Sequence, residues 1–278
     1  MSTRTALVTG AGTGSLGEAT AAQLRDLGFR VITTTRSSPV APDTHPLELA
    51  SSASVRALAG WLGAATDRLD VLVNNAGLHL DLRSKWSHPK LVDGREIHWR
   101  TNYLGTALLT RLLLPLLAST ASSVGEARVV NVVSKLHARG RTEALFGDLT
   151  PYDSWAAYGT SKLALVLEAA EIERRYGAEG VHGYSLHPGS VYTHVADRGL
   201  ETAPVLGRLR KLAGPLERRA LLTPQQGART TVFCATSPAA VPGGYHARSA
   251  PAEASADAGD AVVAARLWDQ TTAWAATA

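Results

Sequence analysis

The chain has 278 residues, of which 45% are hydrophobic and 19% are charged, and its formal net charge is +4. This length suits one large α/β domain or two small ones, and the apolar content is sufficient for a sizeable core. The basic excess is modest and does not indicate a nucleic-acid partner. The single cysteine, Cys234, excludes an internal disulfide framework and a cysteine-based metal cluster.

The first predicted strand lies close to the start of the chain. Residues 5–8 form a short run of apolar strand formers, which is not the pattern of a secretory signal peptide. The most apolar stretch, residues 104–117, contains Arg111 and Pro115 and is shorter than a helix that spans a bilayer. We therefore expect a cytoplasmic protein without membrane insertion.

A glycine-rich turn follows this strand. Residues 9–17 read Thr-Gly-Ala-Gly-Thr-Gly-Ser-Leu-Gly, and the residues after them have the pattern of a helix. Gly12, Gly14 and Gly17 fit the Gly-x-Gly-x-x-Gly pattern of a strand-to-helix turn. Glycines let the backbone approach a pyrophosphate, and the helix N-terminus supplies free N–H groups. The turn therefore predicts dinucleotide binding in preference to a plain tight turn, through Gly10, Gly12, Thr13, Gly14, Ser15, Leu16 and Gly17.

The second predicted strand, residues 29–35, ends without an acidic side chain. Proteins that bind NAD usually place a carboxylate at this point to hold the ribose hydroxyls. This chain has Arg36 and Ser37 instead, and a guanidinium forms charge-assisted hydrogen bonds to phosphate. The sequence therefore predicts NADP(H) as the cofactor, and the alternative is an exposed loop arginine with no ligand.

Two further strands are predicted, at residues 47–49 and 69–73, with a helix at about residues 52–62 between them. The second of these strands ends in the segment Asn74-Asn75-Ala76-Gly77. Small residues at the carboxyl end of a strand leave space for a flat ligand, and the two asparagines can tie adjacent strands together.

Tyr158 and Lys162 are four residues apart in a predicted helix, so they lie on one face of it. An isolated phenol has a pKa near ~10 and exchanges protons poorly at neutral pH. A nearby ammonium favours the phenolate and lowers that pKa. The pair can then give a proton to a carbonyl oxygen or take one from a hydroxyl. The same spacing is common on ordinary amphipathic helices, so it indicates catalysis only together with other motifs.

Four motifs, in their order along the chain, resemble the short-chain dehydrogenase/reductase family: the turn at Thr9-Gly10, residues 74–77, Tyr158 with Lys162, and Pro188-Gly189. The resemblance covers nearly the whole chain. It implies a single α/β domain over residues 1–278, with a Rossmann-type doubly wound parallel sheet of about seven strands and helices on both faces. The pattern around the tyrosine resembles the branch that contains retinol dehydrogenases and related carbonyl reductases.

The resemblance also implies roles for individual residues. Tyr158 is the implied acid and base, and Lys162 lowers its pKa and orients the cofactor. Ser134, at the end of a predicted strand, polarises the substrate carbonyl, and Asn102 anchors a water of the proton relay. The implied cofactor contacts beyond the glycine turn are Asn75, Ala76, Gly77, Tyr158, Lys162, Pro188, Gly189, Val191 and Thr193.

The glycine turn departs from the family's pattern by one extra residue. When the turn is aligned from the helix side, Ser15 stands where the family has a glycine. Cofactor binding is still expected, but the individual phosphate contacts are left open by this insertion.

These observations predict an NADP(H)-dependent oxidoreductase that transfers hydride between the nicotinamide and a carbonyl or alcohol of a small lipophilic or secondary-metabolite substrate. One alternative keeps the cofactor but performs a net reaction that is not redox, such as an epimerisation, elimination or cyclisation. The other is a dinucleotide-binding protein without turnover. We further expect no metal site, a helical substrate lid at residues 194–222, and a homo-oligomer, dimeric or tetrameric, paired through the helices of Asn102 and Tyr158.

Overall fold

The computed structural model describes residues 3–36, 43–83, 85–191 and 221–278. The strands within them are β1 (Thr5–Val8), β2 (Arg30–Thr35), β3 (Thr44–Pro46), β4 (Val71–Asn74), β5 (Leu91–Val92), β6 (Arg95–Glu96), β7 (Ala127–Val132), β8 (Val181–His187), β9 (Tyr245–Ala247) and β10 (Ala250–Ala252). The α-helices are α1 (Leu16–Asp26), α2 (Ser52–Ala65), α3 (Thr106–Val124), α4 (Thr142–Leu145), α5 (Ser154–Tyr176), α6 (Pro224–Thr236) and α7 (Ala261–Ala275). A π-helical turn, Trp99–Gly105, leads directly into α3.

One large sheet organises these elements, with its strands in the order β10-β9-β8-β7-β4-β1-β2-β3. Neighbouring strands are parallel except β9 and β10, and β5 pairs with β6 in a separate small hairpin. The predicted doubly wound parallel sheet is confirmed. It has one strand more than predicted, because Arg248 and Ser249 both adopt positive φ and turn the chain back as the short antiparallel β10.

Helices cover both faces of this sheet. α1 and α6 pack on one face, around the side chains of Val8, Val73 and Tyr184. α2, α3 and α5 pack on the other, where Leu7 and Leu72 point because successive side chains of a strand alternate between the faces. Central strands covered on both sides must be buried at every residue, and β1, β4 and β7 are.

The third strand lies earlier in the chain than predicted. β3 is Thr44–Pro46, and the segment predicted as a strand, residues 47–49, leads into α2 instead. The backbone N–H of Glu48 donates to Ser54 Oγ (3.0 Å), and its carboxylate accepts from the N–H of Ala50 (3.1 Å). The ladder with β2 ends at Leu47, whose N–H donates to the Thr35 carbonyl at 2.8 Å, and the local bonds of Glu48 then direct the chain into the helix start.

The π-helical turn and α3 form one continuous helix, Trp99–Val124, of 26 residues, which is longer than the predicted apolar stretch. By length and composition it could cross a membrane, but 67% of its most apolar window is buried within this fold. The core helix of a soluble protein has the same properties. The cytoplasmic location and the absence of membrane insertion therefore stay predictions.

The closing helix α7 lies on the outside of α3 and α5. Tyr103 Oη and Thr271 Oγ1 are hydrogen-bonded at 2.8 Å, and the guanidinium of Arg111 lies 4.1 Å from the centre of the Trp268 ring. Trp268 itself is buried in the core. α7 therefore covers part of the surface of the helices that carry Asn102 and Tyr158, through which we expect two copies of the chain to pair.

We expect a homo-oligomer in solution, and a second copy that pairs at this surface must contact α7. Light scattering at micromolar concentration should then give a mass that is a multiple of the chain mass of 29.3 kDa. A mass of 29.3 kDa would indicate a monomer and contradict the expectation. A monomer would be consistent with α7 covering the surface through which copies were expected to pair.

Candidate active site

A cavity of about 530 Å³ opens at the carboxyl ends of the parallel strands. We call this cavity the cleft. Motifs distant in sequence meet there because parallel strands β1, β4, β7 and β8 all end at the same edge of the sheet. The predicted site residues that line it are Gly10, Gly12, Thr13, Ser15, Leu16, Arg36, Asn75, Ala76, Gly77, Ser134, Tyr158, Lys162, Pro188, Gly189 and Val191.

The remaining predicted positions fall into two groups. Gly14, Gly17 and Asn102 lie beside the cleft without lining it. Ser37 and Thr193 lie outside the described residues, as does the predicted lid except for its last two positions. Of those two, Leu222 forms a parallel bridge with Val191 at the wall of the cleft.

The glycine turn is tied to the end of β4 through Thr9. The backbone N–H groups of Asn75 and Ala76 both donate to Thr9 Oγ1 at 3.0 Å. The Asn75 side chain donates back to the carbonyl oxygens of Thr9 (2.8 Å) and Gly10 (3.2 Å). The first asparagine of the pair, Asn74, ties β4 to β7 by donating to Asn131 Oδ1 at 2.9 Å.

Two glycines of the turn are required by close packing. A Cβ at Gly10, which has φ +70°, would lie 2.8 Å from the Cα of Ala76. A Cβ at Gly17 would lie 2.6 Å from both the Gly10 carbonyl oxygen and the Asn75 amide. No atom lies within 4 Å of a Cβ built at Gly12, so the backbone there faces open space in the cleft. Gly12 thus leaves room for a ligand, whereas Gly10 and Gly17 hold the turn together.

The extra residue of the turn caps α1. Ser15 Oγ accepts from the N–H of Glu18 (3.1 Å) and donates to the Gly10 carbonyl (3.2 Å). The N–H of Gly14 donates to the Glu18 carboxylate at 2.7 Å. The Gly14 N–H, which the sequence predicts as a donor to a cofactor phosphate, is therefore already bonded to a carboxylate of the protein.

These features fit a dinucleotide. The lining runs from Thr34 and Arg36, at the end of β2, across Gly12 to His187 at the end of β8 and Gly189 after it. Arg36 is exposed at one end of this path, and Lys162 is buried at the other. An extended cleft with a phosphate-binding turn near its middle matches the shape and charge of such a cofactor.

Tyr158 and Lys162 are presented by α5, whose start is fixed by Asp153. The Asp153 carboxylate accepts from the N–H groups of Trp155 (2.7 Å) and Ala156 (2.9 Å) and so caps the helix. Lys162 Nζ donates to the Val132 carbonyl at 3.1 Å and lies 5.8 Å from the centre of the Tyr158 ring. The strand end and the helix thus hold the ammonium beside the phenol.

The protonation of this pair differs from the prediction. Burial raises the pKa of Tyr158 to about 12, although its hydrogen bond with Ser134 acts in the opposite direction. Burial also lowers the pKa of Lys162 to about 8. The expected net lowering of the phenol's pKa by the ammonium is wrong for this state, because the cost of burying a phenolate is larger. Tyr158 is therefore a protonated phenol at neutral pH.

Asn102 lies in the π-helical turn and is fully buried. Its Oδ1 accepts from the N–H of Leu78 (2.8 Å), and its Nδ2 donates to the Leu78 carbonyl (2.9 Å) and to Ser161 Oγ (3.1 Å). The side-chain amide thus fixes the loop after β4 against α5. Its Oδ1 accepts one hydrogen bond and has a second lone pair, and the anchoring of a relay water by Asn102 stays a prediction.

Among the cleft residues that sequence reasoning missed, three have a buried polar atom without a partner. His79 Nε2, His187 Nδ1 and Thr101 Oγ1 are buried, and none has a hydrogen-bond partner among the described residues. No motif identified in the sequence includes His79. Its place two residues after the segment 74–77 is the signal that could have identified it. Three unpaired polar atoms that line one cavity indicate a site that is completed by a ligand.

A family model described as short chain dehydrogenase matches residues 4–203. The chain belongs to the short-chain dehydrogenase/reductase family. It is 37% identical over 287 residues to Dehydrogenase/reductase SDR family member 13 of Homo sapiens, across 96% of this chain and 71% of that protein. It is also 37% identical over 296 residues to Retinol dehydrogenase 14 of Mus musculus, across 96% and 84%. These relatives confirm the predicted branch.

Solved structures agree with this membership. A crystal structure of an uncharacterized protein from Mycobacterium Paratuberculosis superposes with a TM-score of 0.70 and 30% identity, over 97% of this chain and 93% of that one. The short-chain dehydrogenase/reductase described here is thus an oxidoreductase that binds a nicotinamide dinucleotide.

Proposed function

We propose that this short-chain dehydrogenase/reductase is an NADP(H)-dependent reductase of an apolar aldehyde or ketone, or catalyses the reverse alcohol oxidation. The observation that carries the proposal is the meeting of Ser134, Tyr158 and Lys162 at one end of a cleft that has Arg36 at its other end. A dinucleotide-binding protein without turnover would not need this set, and nothing in the cleft favours a net reaction that is not redox.

Tyr158 is the proton donor in this proposal. When bound, the reduced nicotinamide supplies the hydride that adds to the carbonyl carbon. The phenol gives its proton to the carbonyl oxygen as the carbon–oxygen double bond becomes single, so the product is the alcohol. Ser134, which lines the cleft with Tyr158, holds the substrate oxygen next to the phenol. Water exclusion by the buried wall around the pair strengthens these interactions.

Lys162 has two tasks in this proposal. Its ammonium, held by the Val132 carbonyl, stabilises negative charge that develops on Tyr158 as the proton leaves. It also lies 3.3 Å from the position that a Cβ at Gly77 would take, so it faces the floor of the cleft after β4. There its N–H groups can donate to ribose hydroxyls of the cofactor.

An apolar substrate is supported by two observations. Leu78, Val133 and Val191 contribute apolar side chains to the cleft around the catalytic end. The mouse relative, Retinol dehydrogenase 14, is named for retinol, a long apolar alcohol.

The proposed function is tested with a panel of carbonyl compounds, including benzaldehyde and retinal. Each compound is offered with NADPH or NADH, and the readout is the loss of reduced-cofactor absorbance. No consumption of either cofactor across the panel would argue against the proposal.

Cofactor choice is expected to depend on Arg36. Its guanidinium lines the cleft at the end of β2 and can bond the 2′-phosphate that distinguishes NADPH. A hydrogen bond to a charged group is worth roughly 1.5–3 kcal/mol, so Arg36→Ala should narrow the preference for NADPH by about tenfold to a hundredfold. The measurement is kcat/KM with each cofactor.

Arg36→Asp should narrow the preference further, because a carboxylate repels the phosphate and accepts from ribose hydroxyls. Arg30→Ala is the matched control, since Arg30 begins the same strand and pairs with Asp43 on the surface at 3.1 Å. Equal kcat/KM for NADH and NADPH in the wild type would refute the assignment before any variant is made. If Arg36→Ala keeps the wild-type preference for NADPH, other residues of the cleft must recognise the 2′-phosphate.

A further inference from the structure

His79 lies in the loop after β4, and its imidazole stacks face to face on the ring of Tyr158. The two ring centres are 4.0 Å apart, and the ring planes are inclined by 10°. Trp155, one turn earlier on α5, meets the other edge of the imidazole at 5.1 Å and 81°. The histidine is 5% exposed. A buried ring wedged between two side chains of the same helix restricts the rotation of the phenol about its side-chain bonds.

The loop is fixed on both sides of the stacked histidine. Before it, Leu78 exchanges two hydrogen bonds with the Asn102 amide, at 2.8 and 2.9 Å. After it, the N–H of Leu80 donates to His98 Nε2 at 3.0 Å. His98 Nδ1 in turn lies 2.7 Å from a carboxylate oxygen of Glu96, and both side chains are buried. The imidazole is therefore held in place by the loop and its partners, and not only by its contact with the phenol.

We propose that His79 is a positioning residue: its ring holds the Tyr158 phenol in the orientation from which the proton is transferred. The inference rests on the proposed function, because that function gives the proton transfer to Tyr158. Stacking explains the position of the imidazole without any hydrogen bond from it, and its Nε2 has no partner among the residues that the structure describes.

The surroundings keep this ring neutral. Burial lowers the pKa of His79 to about 3, and the nearby ammonium of Lys162 acts in the same direction, whereas Asp81 opposes them. A neutral imidazole places no second positive charge beside Lys162. It also shields one face of the phenol from water, which is part of the burial that raises the pKa of Tyr158.

The first test is kinetic, with NADPH and benzaldehyde or retinal as the carbonyl probe. His79→Ala should lower kcat by about tenfold to a hundredfold with little change in KM, because the phenol loses its fixed orientation. His79→Phe keeps a stacking ring but lacks Nε2, so it should recover most of the kcat that His79→Ala loses. His45→Ala is the control, since His45 also contacts an aromatic ring, that of Trp61 at 4.9 Å, but does not line the cleft.

The second test needs no cofactor. In protein labelled with ¹³C at the tyrosine Cζ, the NMR signal that disappears in Tyr158→Phe reports the pKa of this phenol. The wild-type value is expected at about 12. His79→Ala admits water to the ring, so the pKa should fall toward the ordinary value near ~10. His79→Phe should leave it close to the wild-type value.

These results separate the inference from the function on which it rests. A Tyr158→Phe variant that keeps its kcat would overturn the proposed function and this inference with it. Loss of activity in Tyr158→Phe, combined with wild-type kcat and phenol pKa in His79→Ala, overturns the inference alone. If His79→Ala does not fold, His79→Phe still decides, because a loss of kcat as large as that of Tyr158→Phe would show that stacking is not what the histidine supplies.

Discussion

Tyr158→Phe is expected to lower kcat by about 10²–10⁴-fold while leaving the affinity for NADPH largely intact, because only the hydroxyl is removed. The phenyl ring keeps its stack with His79 and its place beside Lys162, so the cleft retains its shape. The hydroxyl donates the proton in the chemical step and is the group that bonds Ser134. Steady-state kinetics with the best carbonyl of the panel, together with NADPH fluorescence titration, measure the two quantities separately.

Tyr152→Phe is the matched control for this prediction. Tyr152 precedes α5, and its hydroxyl donates to Glu96 at 3.3 Å outside the cleft. Burial raises its pKa as well, and the nearby Glu96 carboxylate acts in the same direction. The control should keep kcat within about threefold of the wild type. Wild-type turnover in Tyr158→Phe, or an equal loss in both variants, would mean that Tyr158 is not the proton donor.

The sequence could predict the sheet because its signals are local. β1, β4, β7 and β8 are short apolar runs that each end in a motif with glycine, asparagine, serine or proline, and parallel strands bring such ends to one edge. The strands it misplaced or missed depend on other interactions. β3 shifted because Glu48 bonds Ser54, and β10 exists because two residues without a glycine signal adopt positive φ.

The site was predictable to the extent that it follows these strand ends. Ser134, Tyr158 and Lys162 meet as the order of motifs implied. The protonation of the phenol was not predictable, because the spacing of Tyr158 and Lys162 gives their proximity but not their burial. The stack of His79 was also hidden, since it joins a loop after β4 to a helix far along the chain. Contacts of this kind are set by tertiary packing.

Lys162→Met is expected to lose activity and to gain stability at neutral pH. Turnover should fall by about a hundredfold or more, because no cation remains to stabilise charge on Tyr158. NADPH should bind about tenfold to a hundredfold more weakly, as a hydrogen bond from a charged group is lost. The methionine fills a similar volume in a buried site and carries no charge that must be removed from water.

The gain in stability follows from the pKa of the lysine. Burial lowers the pKa of Lys162 from 10.5 to about 8. Between pH 8 and pH 10.5 the unfolded chain therefore binds more protons than the folded protein. The free energy of unfolding of the wild type therefore rises with pH across this window, and burial of the ammonium destabilises the fold most at lower pH. Lys162→Met lacks this pH dependence. Its free energy of unfolding should exceed that of the wild type by roughly 1–3 kcal/mol at neutral pH, and the difference should vanish above pH 10.5.

Urea unfolding at a series of pH values, with Lys135→Met as the control, measures this difference. Lys135 follows Ser134 but is exposed, so its replacement should change neither the stability profile nor the activity. A Lys162→Met protein that is less stable than the wild type at neutral pH would show that the bond from Nζ to the Val132 carbonyl outweighs the cost of burial. The expected opposite result would mean that the protein gives up stability to hold a cation in the cleft, which the two proposed tasks of Lys162, in proton transfer and in cofactor binding, explain.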